Sequence, residues 1–269
     1  MTRTSRMFER LADEQRCGLF PFLAAGFPDV ATSHALAEAA LDAGADGFEI
    51  GVPFSDPLAD GATHQRIYAR ALAGGATLDT ALDLARVIRR RSPETPVALM
   101  SYYNPLRQRG DARLAAQLAE LELDAAIVPD LPPEEARDFR AALLAHGLGL
   151  VPLLAPTSPV ARIRVVAELD PIWIYCVALV GVTGARSELA TDLAAFLDNV
   201  RAVTTAPLVV GFGISQPDHV RRVARLGAAG AIVGSALSDL VERSADPVAA
   251  ARAYLGELKL AGASGAVAR

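Results

Sequence analysis

Gly47-Phe48-Glu49-Ile50-Gly51-Val52-Pro53-Phe54-Ser55-Asp56-Pro57-Leu58-Ala59-Asp60-Gly61 opens as a short strand and closes as a loop rich in proline and aspartate. Alternate side chains of a strand face opposite sides. If Phe48 and Ile50 point outward to covering helices, then Gly47, Glu49 and Gly51 point into the space that the sheet encloses. A carboxyl between two glycines has room around it and little water. Burial without a cation raises a carboxyl pKa, which suits a group that gives and takes a proton near neutral pH. The alternative is a structural Glu paired with a buried Arg or a backbone donor, because perturbed carboxyls also occur in such networks.

The rest of the chain supplies the frame. Its 269 residues are enough for one large α/β domain or two small ones. Hydrophobic residues make up 52% and charged residues 21%, so a sizeable core is expected, built from Ala and Leu more than from the 6% of aromatics. A net charge of −5 argues against a nucleic-acid surface. No stretch reaches the roughly 18 apolar residues of a membrane span. The basic start, Met1-Thr2-Arg3-Thr4-Ser5-Arg6, is not followed by a secretory apolar segment. Cys17 and Cys176 stand far apart in unlike contexts and read as reduced residues of a cytoplasmic protein.

Short apolar runs alternate with amphipathic stretches. The runs fall at 19–25, 47–51, 97–101, 125–128, 148–154, 172–177, 208–211 and 231–233. Helical spacing follows at 32–42, 78–91, 111–121, 158–168, 192–203 and 216–226, with one or two helices from Ala236 onward. After the second run, a long loop is expected up to Leu78. Pro133-Glu134-Glu135 reads as the opening turn of another helix. Eight strands alternating with helices, each strand apolar on both faces, predict one closed (β/α)8 barrel, the TIM barrel, over residues 1–269, with 261–269 a frayed tail. A doubly wound open sheet is the alternative, but no Gly-x-Gly-x-x-Gly turn follows the first strand.

In such a barrel the chemistry lies at the C-terminal ends of the strands. Glycine turns follow the last two: Gly211-Phe212-Gly213-Ile214-Ser215 and Gly234-Ser235-Ala236. There backbone N–H groups can approach an anion, and a helix starting at Ser235 would aim its positive end at it. Tight turning between strand and helix is the plainer explanation. Gly181-Val182-Thr183-Gly184-Ala185-Arg186, after the sixth strand, reads as a lid over the site or as an ordinary surface loop. No His, Cys or carboxylate spacing suggests a metal site, and His34 with Glu38 reads as a surface pair on a helix.

With these motifs assembled, the chain resembles the tryptophan synthase alpha subunit family over nearly its whole length. Residues 49–61 carry the resemblance most specifically, with Gly181-Val182-Thr183-Gly184 and Gly211-Phe212-Gly213-Ile214-Ser215 beside them. It implies cofactor-free retro-aldol cleavage of indole-3-glycerol phosphate to indole and glyceraldehyde 3-phosphate. Glu49 would serve as the acid and base, Asp60 as the partner of the ring nitrogen, and Tyr175 as a hydroxyl holding Glu49. Phe22, Met100, Tyr102, Ile127, Leu153 and Phe212 would form the indole slot. Thr183, Gly184, Gly213, Gly234 and Ser235 would hold the phosphate.

The resemblance also implies a β-subunit partner in an αββα tetramer, with pyridoxal phosphate carried by that partner alone. Pro53, Phe54, Pro57 and Asn104 would touch it. A stand-alone indole-releasing lyase and a non-catalytic activator of a β subunit are the competing readings. Three positions depart from the family's usual pattern: His64 for an aliphatic residue, Ala62 for a common proline, and residues 178–180 for a stretch with a small hydroxyl residue. His64 reads as a loop or pocket-wall residue rather than a catalyst.

Overall fold

The computed structural model describes residues 1–178, 188–211 and 213–263. Parallel strands β1 (Gly18–Ala24), β2 (Phe48–Gly51), β3 (Val97–Met100), β4 (Ala125–Ile127), β5 (Gly149–Val151), β6 (Leu153–Leu154), β7 (Ile174–Val177), β8 (Leu208–Gly211) and β9 (Gly230–Val233) form one sheet. Its order is β5-β4-β3-β2-β1-β9-β8-β7-β6. The two end strands are consecutive in the chain, joined only through Pro152. The run at 148–154, predicted as one strand, is thus two: β5 pairs with β4 and β6 with β7. Proline has no N–H for the ladder, but the Pro152 carbonyl still accepts from the Tyr175 N–H at 3.0 Å. One broken stave therefore closes the eight-stave barrel, as expected.

The inward alternation predicted for β2 is observed. Glu49 is 2% exposed. A Cβ built on Gly47 would lie 2.6 Å from Phe20, and one on Gly51 would lie 2.3 Å from Phe22. Both positions are glycine because aromatic rings from β1 fill the space in front of them. Phe20, Trp173 and Tyr175 continue this packing across the barrel, with ring centroids 6.3 and 6.0 Å apart in succession.

Helices α1 (Arg3–Asp13), α2 (Val30–Asp42), α3 (Ala62–Ala73), α4 (Leu78–Arg91), α5 (Tyr103–Arg109), α6 (Asp111–Glu120), α7 (Arg137–Leu144), α8 (Val160–Glu168), α9 (Glu188–Arg201), α10 (Pro217–Arg225), α11 (Ser235–Arg243) and α12 (Pro247–Ala263) complete the described chain. Three were not anticipated. In α1, Met7, Phe8 and Leu11 are buried and Thr2 caps the first turn by accepting from the Ser5 N–H. Helix α3 occupies the middle of the expected loop. Its apolar contacts, Ile67, Tyr68 and Ala71, sit at helical spacing within a polar sequence flanked by Gly61 and Gly74-Gly75. Helix α5 is short and starts directly after β3. Pro133-Glu134-Glu135 forms a turn, and α7 begins only at Arg137. Of the 261–269 tail, Ala261 to Ala263 belong to α12, and 264–269 lie outside the described residues.

The barrel floor is tied by Asp46, whose carboxylate is 2% exposed. It accepts two bonds from Arg16 at 2.8 Å, one from Lys259 Nζ at 2.6 Å, one from Arg10 at 3.3 Å and one from the Leu19 N–H at 2.9 Å. Burial alone would push this carboxyl up, but the bonds from Arg16 and the charge of Lys259 outweigh it and hold the pKa below the usual range. The network binds α1, the entrance to β1, the turn before β2 and α12. Asp46→Ala removes the buried partner of Lys259 and leaves Arg10 and Arg16 with Glu14 alone, and is expected to cost about 3 kcal/mol. Because the folded pKa is depressed, Asp46 stabilises above its unfolded pKa, and the contribution fades as the pH falls through the folded value. Urea titrations of both proteins at pH 7 and in acid check the loss and its decline.

Cys17 and Cys176 are free and buried, and burial pushes both thiols up to about 12. Among the described residues, no helix is long and apolar enough to cross a membrane, and no cluster of His, Cys, Asp and Glu could hold a metal ion.

Candidate active site

Strand β2 delivers Glu49 to a cavity of about 240 Å³, which Phe22, Asp60, His64, Met100 and Tyr175 also line. Gly213, Ile214, Ile232, Gly234 and Ser235 bring the last two strand ends into the same wall. Residues separated by more than half the chain therefore converge on one space at the C-terminal ends of the strands, where the barrel rule puts chemistry.

Among the described residues neither carboxyl oxygen of Glu49 has a hydrogen-bond partner, and both are closed off from solvent. Buried Arg or backbone donors, the structural alternative, are not paired with it. Burial pushes the Glu49 carboxyl up to about 8, and the nearby charge of Asp60 adds to the effect. A carboxyl in this condition is protonated at neutral pH and ready to give its proton to a substrate atom.

Asp60 is the opposite case. It is buried, yet both oxygens are satisfied: the Tyr102 hydroxyl donates to Oδ2 at 2.7 Å, and His64 Nδ1 lies 2.9 Å from Oδ1. Tyr102 in turn accepts from the Ala59 N–H at 2.8 Å, so it holds the loop as well as the carboxylate. Burial, followed by the bond to Asp60, keeps the Tyr102 phenol above its usual range and therefore a donor. Each carboxylate oxygen has two acceptor directions, so Asp60 can still accept from a bound ligand. Gln65 fixes the backbone at this point through the Asp60 carbonyl, at 2.8 Å.

Helix α3 places His64 one turn beyond Asp60, with its ring stacked on Phe22 at a centroid distance of 4.5 Å. Read from the sequence as a loop or pocket-wall residue, His64 is a helix residue in the cavity wall. No sequence signal except its spacing of four from Asp60 could have shown this. Tyr175 lines the cavity as expected, but its hydroxyl does not bond to Glu49, whose oxygens are both unpartnered. It packs instead toward β8, where a Cβ on Gly211 would lie 2.2 Å from that hydroxyl.

Of the predicted indole slot, Phe22 and Met100 line the cavity, and Tyr102 reaches it through Asp60. Ile127 is fully buried in β4. Leu153 lines a separate cavity of about 200 Å³ with Val128, Pro129 and Leu131. Phe212 lies outside the described residues, as do Thr183, Gly184 and the rest of the 181–186 stretch.

At the predicted phosphate end, Gly213 has φ +79°, open to glycine without strain. Gly234 precedes α11, which starts at Ser235 with no side-chain cap on its first turn. Its N-terminal N–H groups are thus free to face an anion in the cavity.

The loop at 52–59 lies at the rim. Pro53 and Pro57 are buried, Phe54 stacks on Tyr102 at 5.3 Å, and Asn104 is exposed. Leu58, not singled out in the sequence, is 91% exposed at the tip of that loop.

The family model described as tryptophan synthase alpha chain matches residues 8–261. The tryptophan synthase alpha chain of Roseiflexus castenholzii is 52% identical over 244 residues, covering 91% of this chain and 93% of the relative. That of Chloroflexus aggregans is 48% identical over 260 residues, covering 96% and 97%. Among solved structures, the tryptophan synthase subunit alpha of Legionella pneumophila superposes with a TM-score of 0.89 at 35% identity, covering 97% of this chain and 98% of that one. A chain of Mycobacterium tuberculosis tryptophan synthase gives 0.88 at 33% identity, covering 97% and 98%. With a family model matching nearly end to end and relatives this close across their whole length, the chain belongs to the tryptophan synthase alpha chain family.

Proposed function

We propose that the cavity between Glu49 and Asp60 is where this lyase of tryptophan biosynthesis splits indole-3-glycerol phosphate into indole and glyceraldehyde 3-phosphate. The observation that carries the assignment is the contrast between two buried carboxyls. Glu49 is unpartnered and raised to about 8, and Asp60 is held by Tyr102 and His64. Glu49 is set to start protonated, and Asp60 is braced to accept a hydrogen bond.

The steps follow from that difference. Glu49 gives its proton to indole C3, making the ring a positive indolenine. Asp60 accepts a hydrogen bond from the ring N–H and stabilises the charge that develops there. The bond from C3 to the glycerol chain then breaks, and its electrons restore the aromatic ring. The hydroxyl on the departing carbon gives its proton back to Glu49 and becomes the aldehyde carbonyl. Glu49 ends as it began, and no proton is consumed. The ring would lie against Phe22 and Met100. The phosphate would sit at Gly213, Gly234 and Ser235, where free N–H groups and the α11 dipole favour an anion.

A β subunit carrying pyridoxal phosphate would take the released indole. The exposed tip at Leu58, with Asp56 and Asn104, is the surface of this chain best shaped to meet it.

Incubation with indole-3-glycerol phosphate, alone and with a β subunit, tests the proposal by following indole. Indole release that rises with the β subunit is the expected result. A fast rate that the β subunit leaves unchanged would make the enzyme a stand-alone producer, and no release under either condition would overturn the assignment.

A further inference from the structure

The role of His64 goes beyond that of cavity wall. Its Nδ1 is taken by Asp60 at 2.9 Å, and its Nε2 is closed off from solvent with no partner among the described residues. A buried polar atom without a partner costs free energy that a ligand can recover. Glu49, the group that must touch substrate, is in the same condition in the same cavity.

The ring spans two ends of the site. One edge meets Asp60. The other lies against Gly234, where a Cβ would sit 3.1 Å from His64 Cε1 and 3.2 Å from Nε2. A carboxylate only accepts, so the Asp60 contact selects the tautomer with hydrogen on Nδ1 and leaves Nε2 an acceptor. A phosphate dianion offers no donor to an acceptor. In the pose proposed above, the glycerol chain, whose hydroxyls do, would lie between the ring nitrogen at Asp60 and the phosphate at Gly234.

We propose that His64 is a specificity-determining residue that accepts a hydrogen bond through Nε2 from a hydroxyl of the substrate's glycerol chain. The inference rests on the assignment of the cavity to indole-3-glycerol phosphate. It explains how a site with an apolar slot and an anion pocket distinguishes a hydroxylated chain from a plain alkyl one. A site built to bond a hydroxyl rejects the analogue that lacks it more strongly than an apolar pocket can.

Indole-propanol phosphate has the same ring and phosphate without the hydroxyls, and serves as the probe. His64→Leu is expected to raise KM for indole-3-glycerol phosphate about tenfold, the effect of one lost neutral hydrogen bond. The inhibition constant of indole-propanol phosphate should rise clearly less, because both ligands feel the loss of the Nδ1 contact with Asp60 and only the substrate made the Nε2 bond. His64→Phe keeps a ring on Phe22 while removing both nitrogens, and should show the same split. It decides the matter if the leucine variant does not fold. Equal weakening of both ligands, or no change in either, overturns the proposal. Failure of the underlying assignment would look different, since the unaltered protein would then bind neither ligand.

Discussion

Glu49→Gln is expected to lower indole release on the order of 10³-fold or more, while making the protein more stable in alkaline solution. The first effect follows from the loss of a general acid and base, typically worth about 10²- to 10⁴-fold. Glutamine keeps the shape but carries no transferable proton. The second follows from linkage. The Glu49 carboxyl stands at about 8 in the folded protein against an ordinary value of 4.5. Between those values the folded state holds a proton that the unfolded chain has lost. Stability therefore falls as the pH rises through this window, by about 1.4 kcal/mol per pH unit at most, and levels off above about 8.

Glutamine removes that slope. The variant should match the parent in urea at pH 4 and exceed it by a few kcal/mol at pH 9, on the order expected for ionising a buried, unpartnered carboxyl. In the unaltered enzyme, kcat/KM should decline above about pH 8, as the acid form of Glu49 disappears. Wild-type turnover in the variant removes Glu49 from the reaction. An identical pH dependence of stability in both proteins removes the buried, unpaired carboxyl.

Asp60→Asn is expected to slow turnover about 10²- to 10³-fold with a smaller change in ligand affinity, since the charge that it stabilises exists only after C3 is protonated. The amide also disturbs the ground state. Its NH2 must face either the Tyr102 hydroxyl or His64 Nδ1, both of which point at carboxylate oxygens. A rotated hydroxyl or a changed tautomer absorbs part of that conflict, and the remaining cost is about 1–2 kcal/mol. Removing the Asp60 charge also withdraws one of the causes that raise Glu49. The alkaline limb of any residual activity should then move to lower pH. Steady-state kinetics across pH with thermal unfolding would read all of these together. A turnover near wild type, or a limb that stays in place, would separate Asp60 from Glu49.

Both results depend on an environment that is partly visible in the residue order. Glycines on either side of Glu49 mark a strand position where nothing large fits, and the period of two sets the carboxyl inward. Glycine turns after the last two strands mark where backbone N–H groups can approach an anion. Asp60 was placed in the site by resemblance, but its partners were not. Tyr102 is 42 residues away in the chain, and the parallel pairing of β2 with β3 brings its hydroxyl to Oδ2. The expected bond from Tyr175 to Glu49 shows the same limit in reverse. Both side chains reach the cavity, yet their orientation is decided by packing against neighbouring strands.

What the residue order determined by itself is therefore what repeats locally: the alternation of strand and helix, the inward face of β2 and the glycine turns at the strand ends. Periodicity is a property of neighbours along the chain, so it can be read without knowing where the chain goes. Only the tertiary structure decided the break of the fifth stave at Pro152, the helix that carries His64, and the meeting of that imidazole with both Asp60 and Gly234. Residues 64 and 234 are 170 positions apart in the chain, and no local pattern encodes their contact. It arises because β1 pairs with β2 on one side and with β9 on the other, bringing the two chain ends side by side.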